Sequence, residues 1–380
     1  MTNSRSRRLT GASVLALAVL AGPAATAVLA DAAPTPSVQG ALDDLVSKDG
    51  FPAALAAVQG SDGRTSDYVA GVADLEARTA VPADGYVRIG SNTKTFTAVT
   101  LLQLVGEGKV KLDGPVEAYL PGLLRGKGVD GRRITVRQVL QHTSGLPEYT
   151  DFLAKGALPY QHAYFQPRDL LDMALKKKAQ FKPGEKWMYT NTNYLVAGLI
   201  IERVTKRPAI EEITERTIKR IGLEETYFPN VGDERVRIPH AKGYHRDDPK
   251  KSMTDVTVFE PSQAWTAGQM ISTPSDLNRF FTALLDGKLL KPKQLKQMRT
   301  TVKVPELGPG GEYGLGLSGV KLTCGGTAWG HGGAIPGYYT TNAATDDGRA
   351  AAIAVTHLPT TLPARANVEK ALDTALCAKS

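Results

Sequence analysis

A serine stands three residues ahead of a lysine in Ser91-Asn92-Thr93-Lys94, at what reads as the start of a helix. One helical turn brings positions i and i+3 onto the same face, so the Ser91 hydroxyl and the Lys94 amine can meet. A serine hydroxyl is a weak nucleophile until a base takes its proton, and a lysine becomes such a base when burial lowers its pKa. The helix start adds free N–H groups and a partial positive charge, which suit an oxyanion. Taken alone, Ser91 reads first as a helix cap, so partners elsewhere must carry the catalytic case. Ser318-Gly-Val-Lys321 has the same spacing, but it lies in a Gly-rich strand-and-turn stretch where i and i+3 do not pair.

Two further clusters carry polar chemistry. Tyr189-Thr190-Asn191 follows Pro183-Gly184-Glu185 and precedes an apolar helix. In an extended loop Tyr189 and Asn191 point the same way; the phenol can relay a proton, and the amide can hold a substrate carbonyl or orient Lys94. The plainer alternative is a surface tyrosine with Asn191 or Thr192 capping the helix. His331-Gly332-Gly333 closes a strand-like segment, and a glycine-lined strand lets a substrate lie along its backbone. His142-Thr143-Ser144-Gly145-Leu146 ends a helix and reads as a structural turn.

Short elements must place these groups. Tyr86 to Gly90 alternates as a brief strand, and Phe96, Val99, Leu102, Leu104 and Val105 follow helical spacing until Gly106 and Gly108. Ala41 to Lys48 reads as a helix, and Ala53–Val58 and Tyr68–Val72 as strands joined through Gly60 to Gly63. The middle is mostly helical: Thr135 to Leu140, Arg168 to Lys176, Tyr194 to Val204, then Pro274 to Leu285 capped by Thr273 or Ser275. The end turns β-rich, with Tyr313–Leu317, Thr327–His331, Tyr338–Ala344 and Ala350–Thr356, and Asp346-Asp347-Gly348 as a hairpin turn. A final helix spans Ala364 to Leu376. These elements predict an α/β (α+β) fold: one antiparallel sheet from 38–90 plus 262–380, flanked by helices, with a helical lobe at 91–261.

Composition narrows the class. Met1 to Ala32 has Arg5, Arg7 and Arg8, then the apolar run Ser13 to Leu20, and Ala30-Asp31-Ala32 as a cleavage site; it reads as a signal peptide. Gly22-Pro23 cuts its core too short for an anchor. Residues 33–380 then form the folded domain of a secreted protein without a membrane anchor. The formal charge of +8 falls to about +6 without the leader, because that segment holds three Arg and one Asp. The charges are scattered, and Lys176-Lys177-Lys178 reads as a solvated helix face, which argues against nucleic acid. Cys324 and Cys377 are the two cysteines; in an oxidising compartment such a pair forms one disulfide, tying a strand region to the last helix. No histidine pair has metal-ligand spacing on a helix; His240 and His245, five apart, read as incidental.

Jointly, Ser91-x-x-Lys94, Tyr189-x-Asn191 and His331-x-Gly333, in this order, resemble the serine β-lactamase and penicillin-binding DD-peptidase superfamily. Leu101 to Lys109, Ile134 to Leu140, His142 to Leu146, Asn191 to Glu202 and both cysteines extend the resemblance over nearly all of the chain after the leader. The pattern is similar to that of secreted actinobacterial D-alanyl-D-alanine carboxypeptidases, relatives of class C β-lactamases. The resemblance implies Ser91 as nucleophile of an acyl-enzyme, Lys94 and Tyr189 as the acid/base pair, and Asn191 lining the site. It places His331 where many relatives have a lysine, makes Gly332, Gly333 and Ala334 a substrate-binding edge, and gives the oxyanion the N–H groups of Ser91 and Ala334. It implies no metal or organic cofactor, action as a monomer, and as partners small peptide or ester substrates, peptidoglycan stem peptides and β-lactams.

The chain departs from that pattern at Gly332 and Ala334, where relatives carry hydroxyl residues, and at Ser318, where the carboxypeptidases have arginine. Those side chains grip a substrate's C-terminal carboxylate. Their absence predicts poor turnover of D-Ala-D-Ala peptides relative to esters or amides, with protonated His331 supplying part of the missing charge below about pH 6.5. The reading is a serine acyl hydrolase, first a DD-carboxypeptidase, with an esterase, amidase or D-amino-acid peptidase as the alternative. A non-catalytic cell-wall binding protein would not need Ser91, Lys94 and Tyr189 together. An α/β-hydrolase is excluded by the lack of a Gly-x-Ser-x-Gly elbow, and a P-loop by Val110 after Gly108-Lys109.

Overall fold

Small residues fill the centre of the sheet because both of its faces are covered. The computed structural model describes residues 37–378 apart from 249 and 309, so the leader assigned to 1–32 lies outside the described residues. Helix α1 (Val38–Ser47), capped by Ser37, leads into strands β1 (Ala53–Gln59) and β2 (Thr65–Gly71). The C-terminal part supplies β3 (Val302–Lys303), β4 (Glu312–Tyr313), β5 (Ser318–Lys321), β6 (Thr327–Ile335), β7 (Tyr338–Ala344) and β8 (Ala350–Val355). They form an eight-stranded antiparallel sheet in the order β2-β1-β8-β7-β6-β5-β4-β3. β8 is buried along its whole length: Ala351, Ile353 and Val355 join one core, and Ala350, Ala352 and Ala354 the other. That is the period-two pattern of a strand covered on both sides.

The helices that frame the sheet and the site are α2 (Thr93–Gly106), α3 (Val136–Leu140), α4 (Pro167–Leu175), α5 (Thr192–Thr205), α6 (Pro274–Leu285) and α7 (Leu362–Cys377), beside short helices at Ala209–Ile213, Trp265–Gly268 and Pro292–Met298. Thr135 and Gln138 make a capping box on α3, and the Thr273 hydroxyl caps α6. α1 and α7 cover one face of the sheet, while α6 packs on the other, over β1, β7 and β8. Residues 91–261 are carried mainly by α2 to α5, with two-residue ladders at Arg125–Gly126 with Val129–Asp130 and at Tyr244–His245 with Thr254–Asp255. The structure joins Cys324, in the β5–β6 turn, to Cys377, the last residue of α7, with Cα atoms 5.6 Å apart. No described helix is long and apolar enough to cross a membrane.

α2 is the central helix. Thr93 to Leu102 and Leu104 are all buried, so the helix is covered all round rather than along one stripe. Its inward hydroxyls are bonded: Thr95 donates to the Gly316 carbonyl at 2.7 Å and Thr97 to the Thr266 carbonyl at 2.8 Å. Phe96 stacks on Phe280 of α6 with ring centroids 3.6 Å apart.

Two strand expectations are corrected. Tyr86 to Gly90 is a strand only at Val87–Arg88, paired with Ile271–Ser272, because Ile89 has turned and Gly90 is left-handed at φ 47°. Tyr313 to Leu317 is a strand only as far as Tyr313. Gly314 and Gly316 then turn the chain beneath α2, where a Cβ on Gly316 would strike Ala98 and the Tyr194 hydroxyl at 2.6 Å.

Candidate active site

The chain reaches Ser91 through Gly90, and glycine is needed there twice over. Its backbone is left-handed, and a Cβ would lie 2.9 Å from the Ala334 nitrogen. The segment before Ser91 therefore rests directly on the β6 edge, which brings the Ser91 and Ala334 N–H groups onto adjoining segments. Gly333 makes the same contact from the other side, since a Cβ on it would lie 2.0 Å from the Ile89 carbonyl oxygen. Ser91 sits in a single 3-10 turn, Gly90–Asn92, that runs straight into α2. Asn92 pins this turn to the sheet: its Nδ2 donates to the Ile89 carbonyl at 2.8 Å and to Thr340 Oγ1 at 2.7 Å, and its Oδ1 accepts from Asn342.

Lys94 is fully buried, and its Nζ donates to Ser91 Oγ at 2.9 Å, Asn191 Oδ1 at 2.8 Å and the Ala267 carbonyl at 2.7 Å. Burial lowers its pKa to about 7, with the Glu148 carboxylate pulling the other way. Near neutral pH the amine is therefore available as a base one hydrogen bond from the serine. The Tyr189 ring lies 5.0 Å from Nζ. Its hydroxyl is buried without a hydrogen-bond partner, and burial pushes its pKa well above 10. The nearby Ser91 hydroxyl favours the phenolate, but the two do not reach hydrogen-bond geometry. Tyr189 is thus a neutral phenol, a proton donor waiting for an acceptor.

Asn191 precedes α5 and divides its amide: Oδ1 faces Lys94, while Nδ2 donates to Glu148 Oε2 at 3.2 Å. The same carboxylate oxygen accepts the Asn191 N–H at 2.7 Å, and Oε1 accepts the Thr150 N–H at 3.0 Å. Glu148 has no ion-pair partner among the described residues, so a half-buried anion borders the site.

His331 lies on β6 with both nitrogens committed. Nδ1 is 2.6 Å from the Gly332 carbonyl and so carries the proton, and Nε2 accepts from the Tyr313 hydroxyl at 3.0 Å. Burial, and secondarily Lys94, lower its pKa to about 4. The charge assigned to His331 below about pH 6.5 is therefore corrected: the imidazole stays neutral down to about pH 4 and braces the strand. Gly332 and Ala334 alternate outward as exposed positions, while Gly333 is buried. Ser318, opposite Gly330 on β5, donates its hydroxyl to the Gly330 carbonyl at 2.8 Å. No group of three His, Cys, Asp or Glu side chains is placed to hold a metal among the described residues.

The structure brings Ser91, Lys94, Tyr189, Asn191 and His331 to one place, with the 332–334 edge beside them. The second Ser-x-x-Lys, Ser318 to Lys321, is a strand, and Lys321 instead bonds Thr327 at 2.8 Å. Asn92, Glu148 and Tyr313 escaped the sequence reading. Asn92 looked like a spacer inside the motif, and Glu148 follows Gly145-Leu146-Pro147, which signals only a turn.

Residues 38–376 match the family model for β-lactamase. A D-stereospecific amidohydrolase from Streptomyces sp. is 38% identical, with a TM-score of 0.82, covering 90% of this chain and 98% of that one. A D-amino acid amidase from Ochrobactrum anthropi SV3, complexed with L-phenylalanine amide, is 29% identical, with a TM-score of 0.77, covering 89% and 96%. Penicillin-binding protein 4* of Bacillus subtilis (strain 168) is 26% identical over 315 residues, 80% of this chain and 67% of that protein. The chain spans about half the length of several other curated relatives it matches. With this match over nearly the whole described chain, and Ser91 and Lys94 in contact at its centre, the chain belongs to the β-lactamase family of serine hydrolases.

Proposed function

We propose that the chain hydrolyses amides and esters of D-configured amino acids through an acyl-enzyme on Ser91. The observation that carries this reading is the charge arrangement around the nucleophile. Gly332 and Ala334 offer no side-chain donor to a substrate carboxylate, Ser318 spends its hydroxyl within the sheet, and His331 is neutral. On the other side Glu148 places an unpaired carboxylate next to Asn191. Such a site favours an acyl donor with a free ammonium and an uncharged leaving side. The likeness to a D-stereospecific amidohydrolase and a D-amino acid amidase supports the choice of substrate class and hand.

Chemistry follows from the contacts. Neutral Lys94 takes the Ser91 proton as Oγ attacks the acyl carbon, and the oxyanion is held by the Ser91 and Ala334 N–H groups. Tyr189 gives its proton to the departing amine and regains one from the Lys94 ammonium. Water then attacks the ester, losing a proton to Lys94, which passes it to Ser91 Oγ as that oxygen leaves. The leader at 1–32 and the paired cysteines fit an exported enzyme. The test compares kcat/KM at pH 8 for D-phenylalanine amide, L-phenylalanine amide and a D-Ala-D-Ala peptide with a free carboxylate. The D-amide is expected to lead; a preference for the free-acid peptide would replace this reading with a DD-carboxypeptidase.

A further inference from the structure

Tyr189 is bracketed on both sides by bonds to one residue. The Met188 N–H donates to the His142 carbonyl at 3.0 Å, and the Thr190 N–H donates to His142 Nδ1 at 3.2 Å. Between these bonds the imidazole lies on the Tyr189 ring, with centroids 4.3 Å and planes 30° apart. A single residue presents its carbonyl and its ring to the same short segment because its backbone is left-handed, φ 61°, a conformation few non-glycine residues adopt. This is why the His142 to Leu146 stretch looks like a plain turn in sequence.

The protonation state is fixed by its neighbours. Asn193 Oδ1 accepts the Ser144 hydroxyl at 2.6 Å, so its amide nitrogen faces His142 and donates to Nδ1 at 3.1 Å. Nδ1 is therefore an acceptor for two donors and the proton sits on Nε2. The side chain is fully buried, which holds it neutral. It touches neither Ser91 nor the β6 edge through any hydrogen bond.

We infer that His142 is a positioning residue for the reaction: its ring and its carbonyl fix the plane of Tyr189 and the path of residues 188–190, and so aim the phenol at the leaving group. This rests on the role given above to Tyr189. A residue that merely fills the core would, when changed, weaken all turnover alike. Misaiming Tyr189 acts selectively, because an amine must be protonated to leave while a nitrophenolate departs without help.

Two substitutions separate the contacts. His142→Phe keeps the ring face and removes the Nδ1 acceptor. His142→Asn carries an oxygen at the position of Nδ1 and tolerates the left-handed backbone, but loses the ring. Both are assayed on D-phenylalanine amide and on the nitrophenyl ester of the same amino acid, with Tyr189→Phe as reference. For His142→Phe we expect kcat on the amide to fall about 100-fold, the scale of a misplacement near 1 Å, with KM little changed and the ester down less than about fivefold. His142→Asn is expected to recover the amide reaction to within about tenfold of the parent. Equal losses on amide and ester in both His142 variants, with Tyr189→Phe amide-selective, would overturn the inference alone. A Tyr189→Phe enzyme that loses both substrates equally would overturn the role of Tyr189 and this inference with it.

Discussion

The two faces of the sheet solve different problems. Under α1 and α7 the contact is apolar throughout, with Leu42, Leu45, Ile353, Val355, Val368 and Leu372 packed together. Under α2 the burial is as complete, but the buried set includes Asn92, Lys94, Thr97, His331 and Asn342. The first face gains stability from area removed from water. The second holds polar groups that burial makes costly, most of them hydrogen-bonded but the Tyr189 hydroxyl left without a partner, and a lysine that burial keeps from its normal charge. The reactive side has a large apolar core of its own, around Phe96, Leu102, Leu195 and Phe280, and embeds these polar groups in it, whereas the other face carries apolar packing alone.

The largest break in this contrast comes from Lys94. Lys94→Met should lower acylation by at least ~100-fold, the lower range for loss of a general base, and Ser91→Ala should abolish labelling by an activated ester. The parent enzyme should lose kcat/KM about tenfold per pH unit below pH 7, where the Lys94 amine is protonated. Its stability should respond in a fixed direction. The folded-state pKa of about 7 lies below the ordinary 10.5, so between these values the unfolded chain holds a proton that the folded one does not. Stability then rises with pH through that window, and the penalty is complete below pH 7. The melting temperature of Lys94→Met minus that of the parent should therefore shrink from pH 7 to pH 10. A difference that stays flat would show that the amine keeps its charge when buried.

On the apolar face the effects should fall on stability alone. Leu42→Ala, at a fully buried position, is expected to cost about 2–5 kcal/mol by chemical denaturation. The Cys324–Cys377 pair, 53 residues apart, closes a loop worth roughly 4 kcal/mol on chain entropy, so reduction should lower the unfolding free energy by a similar amount and the melting point with it. kcat should stay within about twofold in both cases, as expected for changes far from the reacting groups. A large fall in kcat for Leu42→Ala would mean that the two faces are not independent.

What was legible in the sequence follows the same division. α6 begins and ends where its cap and periodicity place it, and β7 and β8 meet across Asp346-Asp347-Gly348, because these signals are local. Ser91 and Lys94 were readable for the same reason, being one helical turn apart. Tyr189, Asn191 and His331 lie about 100 to 240 residues further on and were recognisable only as a family pattern. Glu148, Asn92, Tyr313 and the clamp made by His142 were not legible, since each acts through a neighbour distant in sequence. The truncated strand at Gly90 and the turn at Gly316 were missed because close approach by another segment, not local propensity, dictates those backbones.

The smallest expected change tests the substrate edge itself. Gly332 and Gly333 are adjacent yet opposite in tolerance. A Cβ on Gly333 would meet Ile89, Thr340 and Asn92 at under 3 Å, whereas on Gly332 it meets only the Thr340 carbonyl, at 3.5 Å. Gly332 is exposed and its φ is not left-handed, so threonine fits there and suits a strand. Its hydroxyl would give the edge one donor for a substrate carboxylate, a bond worth about 1.5–3 kcal/mol when one partner is ionised. Part of that is spent on ordering the side chain, so Gly332→Thr should raise the kcat/KM ratio of free-acid peptide to amide by about tenfold, near 1.4 kcal/mol. The rise should come from the peptide's KM and not from a loss on the amide. Ser318→Arg is the poorer choice for this test, because it removes the bond to Gly330 that joins β5 to β6. An unchanged ratio in Gly332→Thr would place carboxylate recognition away from this edge, and the charge argument for an amide substrate would then rest on Glu148 alone.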